Sequence, residues 1–183
     1  VLFEMRKMIE EGISIDYLAG NHDFDLGVFF SEQIGMSVYQ DGMDLILDGN
    51  KYYVHHGDGF AADDKGYRFL KKIMRAKISG KIFKKIHPDW GMKLALYCSK
   101  VSRERDETEE YSHFPYIQWT ESFLNLHKEY EGVIIGHTHQ GYMQELKNGR
   151  FINSGSWLDN QTVLVYDNGE FVNKKINFHG GWE

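Results

Sequence analysis

Residues 131–139 read EGVIIGHTH, in which the short apolar run Val133–Ile135 passes directly into a glycine and two histidines. A β-branched run of this length, bounded by glycine, is typical of a buried strand. In open α/β sheets, the loops at the carboxyl ends of strands line the functional crevice. We therefore expect an α/β fold in which this loop lies at the carboxyl edge of the sheet, in the functional crevice. An extended backbone would place His137 and His139 on the same side.

The same arrangement occurs twice more, upstream in the chain. The apolar run Tyr52–Val54 leads into HHGD at 55–58, and Ile13–Ala19 leads into GNHD at 20–23. Three polar clusters at strand ends are expected to converge at one sheet edge. Imidazole, amide and carboxylate donors without a thiolate suit Mn, Fe, Co, Ni or Zn. The alternative for any one cluster is a surface or satisfied core histidine, but three clusters together favour a metal site.

Local signals predict helices and hairpins around these clusters. Helical spacing predicts a helix over Val1–Glu11, with Gly12 at its C-terminal cap, and a second helix over Phe24–Ile34. Asp48-Gly49-Asn50 and Asn168-Gly169 are typical of hairpin turns. The further strands are expected at Leu45–Leu47, Phe151–Asn153, Thr162–Tyr166 and Phe171–Ile176.

A mostly helical block is predicted from about residue 60 to Tyr130. Within it, aromatic and apolar residues recur at alternating spacings of three and four, which predicts an amphipathic helix facing a core. These residues are Tyr116, Trp119, Phe123, Leu126 and Tyr130.

Composition limits the class of protein. A length of 183 residues with 42% hydrophobic content fits one domain with a substantial core. The apolar runs are too short to span a bilayer. The single cysteine, Cys98, excludes an internal disulfide framework and Cys-rich metal sites, and it favours a reducing, cytosolic compartment.

A basic segment interrupts an otherwise acidic chain. Nine of the 21 Lys and Arg residues fall between Lys65 and Lys85, with no Asp or Glu among them, although the net charge is −6. Apolar residues at helical spacing separate these cations, as in amphipathic helices that lie on anionic lipid. The open alternative is a solvated cationic face over an ordinary core stripe. Nucleic-acid binding is not expected, because aromatic residues are not interleaved as a stacking platform.

The three clusters as a set resemble a known family. GNHD at 20–23, HGD at 56–58 and GHTH at 136–139 are similar to the third, fourth and fifth motifs of the calcineurin-like metallophosphoesterases. The resemblance implies their four-layer α/β/β/α sandwich, which holds two divalent metals bridged by an aspartate and a hydroxide. Manganese is the first expectation for these metals, with iron, zinc, cobalt or nickel as alternatives.

The resemblance also implies roles for individual residues. Asn21, His56 and His137 would bind one metal, and His139 would bind the other. His22 would lie beside the scissile phosphate as the catalytic residue, stabilising charge or protonating the leaving group. The Asn153-Ser154-Gly155-Ser156 turn is similar to a loop of the family that shapes the crevice.

Within the superfamily the chain is most similar to the UDP-2,3-diacylglucosamine diphosphatases of bacterial lipid A biosynthesis. HGDGFAADDKG at 56–66 matches their continuation, so Asp64 would face the substrate. A helical insertion over about 65–125 would form an acyl-chain lid, with Ser102 and Arg103 as polar contacts. The implied reaction hydrolyses UDP-2,3-diacylglucosamine to UMP and 2,3-diacylglucosamine 1-phosphate. The implied location is cytoplasmic, peripheral on the inner membrane, with an anionic membrane surface as partner.

Two motifs of the family do not occur in these residues. D-x-H and G-D-x-x-D are expected to precede Val1, so 1–183 is expected to be a metallophosphoesterase domain incomplete at its N-terminus. The alternative is a catalytically inactive protein. Two alternatives stay open: a metallophosphoesterase acting on a soluble nucleotide or phosphodiester, and a non-catalytic binding module on the same fold. The sequence does not indicate an oligomeric state.

Overall fold

The structure, a computed structural model, contains both helices and a multi-stranded mixed sheet, which confirms the expected α/β class. The residues that the structure describes are 1–21, 23, 26–60, 89–93, 96, 112–159, 161–177 and 181–182. They fall into two units. The first comprises Val1–Val38 and Ala62–Ser112, and the second comprises Tyr39–Ala61 and His113–Glu183.

The first unit begins with helix α1, Leu2–Glu10, which confirms the predicted N-terminal helix. Gly12 follows it in a left-handed conformation, with φ +94°, as expected at a C-terminal cap. Strand β1, Asp16–Leu18, is shorter than the predicted strand and pairs with β2, Ser37–Tyr39.

The helix predicted over Phe24–Ile34 is only partly correct. A π-helix covers Phe29–Ile34 alone, whereas Phe24 and Asp25 lie outside the described residues. Gly27 has a φ of +57°, and a left-handed residue cannot continue a right-handed helix. The turn at Gly27 therefore separates the helix from the GNHD loop.

A five-stranded mixed sheet forms the centre of the second unit. Its spatial order is β3-β4-β5-β7-β6, in which β4, β5 and β7 are parallel and the two edge strands are antiparallel. β6, which the sequence analysis missed, forms a hairpin with β7. The strands are β3, Gly42–Leu47; β4, Asn50–His55; β5, Gly132–Ile135; β6, Tyr142–Leu146; and β7, Gly149–Asn153.

A second antiparallel sheet has the order β10-β9-β8. Its strands are β8, Thr162–Asp167; β9, Glu170–Asn177; and β10, Gly181–Trp182. Asn168 and Gly169 join β8 to β9 with φ values of +50° and +87°, the signs of a type I′ turn, which confirms the predicted hairpin. The Asp48-Gly49 turn between β3 and β4 has the same signs, with φ values of +49° and +83°.

Both faces of the central sheet are buried within the second unit. Ile134 and Ile152 pack with Tyr52 and with Phe171 of β9 on one face. Because side chains alternate along a strand, Val133, Ile135 and Phe151 point to the opposite face, where Leu124 packs on them. A helix, the five-stranded sheet and the β8–β9 hairpin thus form successive layers. The parallel strands each contain a run of consecutive apolar residues, as expected for strands that are covered on both faces.

The helical layer is α2, Phe114–Leu126, which is the described end of the predicted 65–125 insertion. Tyr116, Trp119 and Phe123 face the core as predicted, and Tyr130 packs there from beyond the helix end. The prediction for Leu126 is wrong, since it is 81% exposed. Leu124 occupies the centre of the buried face, and two residues along a helix rotate the side chain by about 200°.

The basic segment between Lys65 and Lys85 lies outside the described residues, as does most of the predicted insertion. Among the helices that the structure does describe, none has the length and apolarity needed to cross a membrane.

Candidate metal centre

The HHGD and GHTH clusters lie side by side because their strands are parallel neighbours. β4 and β5 pair with Val54 opposite Ile134, so both chains leave the sheet at the same edge. Beyond the strands, the backbone amides of Gly136 and His137 donate hydrogen bonds to the carbonyl of His56, at 3.1 and 2.9 Å. The predicted convergence of these two clusters is therefore confirmed.

Two imidazoles face each other at this edge. Nδ1 of His137 lies 3.2 Å from Nε2 of His56, although the residues are 81 positions apart in the sequence. Burial, and after it the charge of His137, lower the pKa of His56 from 6.5 to about 4. His56 is therefore neutral at pH 7, which is the form of imidazole that binds metals.

The spacing of the pair fits two ligands of one ion. Imidazole nitrogen binds zinc-like ions at about 2.0–2.1 Å, so two such ligands at octahedral or tetrahedral angles lie roughly 2.8–3.4 Å apart. The observed 3.2 Å falls within that range. Among the described residues, no group of three or more His, Cys, Asp or Glu side chains is arranged to hold a metal.

Gly57 allows the two loops to approach each other. Its φ is +109°, and a Cβ at this position would lie 3.0 Å from the Cβ of His137 and 3.3 Å from that of Ile135. The Gly57 amide donates to Nδ1 of His55 at 2.8 Å, and the His55 ring stacks on Phe60. The first histidine of HHGD therefore holds the loop, while the second faces the GHTH loop.

The GHTH loop is a turn, so the extended backbone expected there is wrong. The His139 amide donates to the Gly136 carbonyl at 3.2 Å, and His139 has a φ of +59°. The reason is that the chain must reverse after β5 to reach β6, which runs antiparallel to β7. Thr138 is buried beneath the turn and accepts a hydrogen bond from Nδ2 of Asn153.

Asn153 connects this turn to the Asn153–Ser156 loop. It ends β7 opposite Ile135, is fully buried, and accepts a hydrogen bond from the Gly155 amide at 3.1 Å. The Ser154 amide donates to the Ile135 carbonyl at 2.8 Å. The loop after β7 therefore lies against the loop after β5 through buried polar contacts.

His139 has a carboxylate partner that the sequence analysis missed. Its Nδ1 lies 2.6 Å from Oδ2 of Asp159, and both side chains are 56% exposed. Asp159 follows the Asn153–Ser156 turn by three residues. The turn therefore indicated the right loop in the sequence, but nothing in it pointed to Asp159 as the partner of His139. His139 is also near enough to His56 for its charge to influence the pKa of that ring.

The GNHD loop belongs to the first unit and is described there by itself. Asn21 follows β1 and is half-buried. Asp23 closes the loop, because its Oδ2 accepts hydrogen bonds from the Gly20 amide at 2.9 Å and from the Tyr17 hydroxyl at 3.1 Å. The pKa of Tyr17 is raised by burial, then by the charge of Asp23 and by the hydrogen bond between the two side chains.

Four predicted site residues lie outside the described residues, so their roles stay predictions. They are His22, Asp64, Ser102 and Arg103.

Comparison with known proteins identifies relatives that cover most of the chain. No family model matches it. A UDP-2,3-diacylglucosamine hydrolase of Neisseria meningitidis serogroup C is 27% identical over 168 residues, which are 91% of this chain and 70% of that protein. The hydrolase of Porphyromonas gingivalis is 24% identical over 183 residues, with the same coverage. The hydrolase of Aeromonas salmonicida is 27% identical, over 88% of this chain and 65% of that protein. As the motifs imply, the chain is similar over most of its length to the UDP-2,3-diacylglucosamine hydrolases.

Proposed function

We propose that the protein is a metal-dependent hydrolase that cleaves the pyrophosphate of UDP-2,3-diacylglucosamine, giving UMP and 2,3-diacylglucosamine 1-phosphate. The observation that carries this proposal is the contact between Nε2 of His56 and Nδ1 of His137, at 3.2 Å. Two imidazoles at the carboxyl ends of neighbouring parallel strands are suited to hold a divalent ion. The relatives supply the substrate class, since each of them is named for this lipid-linked nucleotide sugar.

The proposed site holds two divalent metals, with manganese first and iron, zinc, cobalt or nickel as alternatives. Asn21, His56 and His137 would hold one of them, and His139 would hold the other. When bound, such a metal pair activates water at neutral pH and neutralises charge on the phosphate oxygens. His22 would stabilise the charge that develops on the phosphate, or give a proton to the leaving group.

The proposed architecture is the calcineurin-like α/β/β/α sandwich over 1–183, with a helical lid over about 65–125. The layers within the second unit support it: α2 covers one face of the five-stranded sheet, and the β8–β9 hairpin covers the other. The histidines lie at the carboxyl edge of this sheet, where ligands bind in α/β folds.

The proposed substrate is met at an anionic membrane surface, with the protein cytoplasmic and peripheral on the inner membrane. The nine cations between Lys65 and Lys85, separated by apolar residues, support this location. Asp64, Ser102 and Arg103 are the proposed polar contacts to the substrate. Nucleic acid is not among the proposed partners.

The decisive experiment measures UMP release from UDP-2,3-diacylglucosamine by the full-length protein with Mn²⁺. We expect His137→Ala to abolish release and the matched variant His127→Ala to retain it, because His127 lies on the exposed surface beyond α2. A soluble phosphodiester is assayed in parallel. Hydrolysis of that ester alone would favour the soluble-substrate alternative, and no hydrolysis of either would favour a binding module.

A further inference from the structure

The contact between His139 and Asp159 joins two loops that leave the same edge of the central sheet. His139 lies in the loop after β5 and Asp159 in the loop after β7, and these strands are parallel neighbours. Nδ1 of His139 and Oδ2 of Asp159 are 2.6 Å apart, slightly less than the distance of about 2.7–2.9 Å that is usual for a charge-assisted N–H···O hydrogen bond. The ring of His139 is thereby held at one of its two nitrogens.

Asp159 is itself oriented by Ser156. The hydroxyl of Ser156 donates to Oδ2 of Asp159 at 2.8 Å, and the amide of Asp159 donates back to that hydroxyl at 3.2 Å. The Ser156 carbonyl accepts a hydrogen bond from the Thr162 amide at 3.1 Å, which ties the loop to the start of β8. The carboxylate therefore has a defined direction although it is half exposed.

The backbone beneath His139 needs such a restraint. His139 is a non-glycine residue with a φ of +59°, which side chains rarely adopt. Its ring is more than half exposed. A partner at Nδ1 selects one orientation and one tautomer together.

We propose that Asp159 is a positioning residue for His139. By accepting the Nδ1 hydrogen, it leaves Nε2 as the nitrogen whose lone pair is available to a divalent cation. Metal-binding histidines are commonly oriented in this way by a carboxylate, and loss of such a partner lowers metal affinity about 10–100-fold. The inference rests on the proposed function, in which His139 is a metal ligand.

The rival explanation is an ordinary surface ion pair that only helps to hold the loop. Exposed ion pairs contribute little to stability, so unfolding alone does not separate the two explanations. Asp44 provides a matched control: its side chain is 49% exposed, pairs with Lys51 at 2.9 Å and accepts a hydrogen bond from Tyr130 at 2.7 Å. Asp159→Ala and Asp44→Ala thus each remove a half-exposed carboxylate that contacts polar side chains.

The test measures Mn²⁺ affinity of the full-length protein by titration calorimetry and records the visible absorption spectrum of the Co²⁺-loaded form. We expect Asp159→Ala to weaken the affected Mn²⁺ site about 10–100-fold and to change the Co²⁺ spectrum, with Asp44→Ala unchanged in both. Asp159→Asn keeps an acceptor oxygen and is expected to recover part of the affinity. Ser156→Ala, which leaves the carboxylate in place, is expected to have a smaller effect in the same direction.

His139→Ala separates this inference from the function on which it rests. If His139→Ala weakens Mn²⁺ binding while Asp159→Ala behaves like Asp44→Ala, the positioning role is overturned and the proposed metal site stands. If His139→Ala leaves Mn²⁺ binding and the Co²⁺ spectrum unchanged, the ligand role of His139 and the positioning role of Asp159 fail together. Circular dichroism of each metal-free variant verifies that it is folded.

Discussion

The Cβ that Gly57 lacks would lie 3.0 Å from the Cβ of His137. The two loops of the candidate metal centre therefore touch at a point where a side chain does not fit without displacement. Ile135, the last residue of β5, bounds the same point at 3.3 Å and is almost fully buried. A side chain at position 57 therefore pushes on His137 rather than on solvent.

We expect Gly57→Ala to weaken Mn²⁺ binding at least ~10-fold, because it displaces His137 without removing a ligand. Gly49→Ala is the control: Gly49 also has a positive φ, +83°, but a Cβ there meets nothing within 4 Å. Both variants carry the backbone cost of an alanine in a left-handed conformation, about 1–2 kcal/mol. Equal metal affinities in the two variants, measured by calorimetry, would show that the contact with His137 has no effect on the site.

Alanine variants of His22 and His137 are expected to lose different properties of the protein. His137→Ala removes a proposed ligand, so elemental analysis after dialysis should find less bound metal. His22→Ala removes a group that acts on the phosphate, so turnover should fall about 10²–10³-fold while the metal content is kept. Equal loss of metal in both variants would mean that these two roles are wrongly assigned.

Two leucines in α2 differ only in the face that they occupy. Leu124 is 1% exposed and packs on Val133, Ile135 and Phe151, whereas Leu126 is 81% exposed. Leu124→Ala should lower the free energy of unfolding by about 2–5 kcal/mol, because it leaves a cavity in the core. Leu126→Ala should change it by less than about 0.5 kcal/mol. Urea denaturation of both variants checks the packing of α2, and similar losses would contradict it.

The basic segment is expected to bind anionic vesicles. Each Lys or Arg near such a surface contributes roughly 1 kcal/mol, so reversal of four charges should abolish binding in a liposome sedimentation assay. The four are Lys71, Lys72, Lys84 and Lys85. Hydrolysis of a short soluble phosphodiester should survive, because the proposed metal ligands lie on other loops. Unchanged liposome binding would mean that the segment is only a solvent-exposed cationic face that does not bind lipid. It would favour the alternative of a soluble substrate.

Several features of the fold and the site were predictable from the sequence because their causes are local. Asn168-Gly169 accepts two positive φ values, so the hairpin between β8 and β9 follows from two residues. Val133–Ile135 is a short apolar run before a glycine, so a buried strand and the loop after it could be recognised. The meeting of His56 with His137 follows from one further rule, that carboxyl ends of parallel strands share an edge.

Other features depended on the tertiary structure, because their causes lie in distant parts of the chain. Helical spacing places Leu126 on the apolar stripe, but the position of the sheet under α2 makes Leu124 the buried residue. The GHTH loop forms a turn rather than an extended segment because the chain must reverse to reach β6. The position of β6 cannot be predicted from the four residues of the loop. Asp159 meets His139 only because β5 and β7 are neighbours and the loop after β7 folds back on itself. The sequence by itself therefore determined which residue types carry the chemistry and at which strand ends they lie, whereas the packing of separate strands and loops decided which side chains orient them.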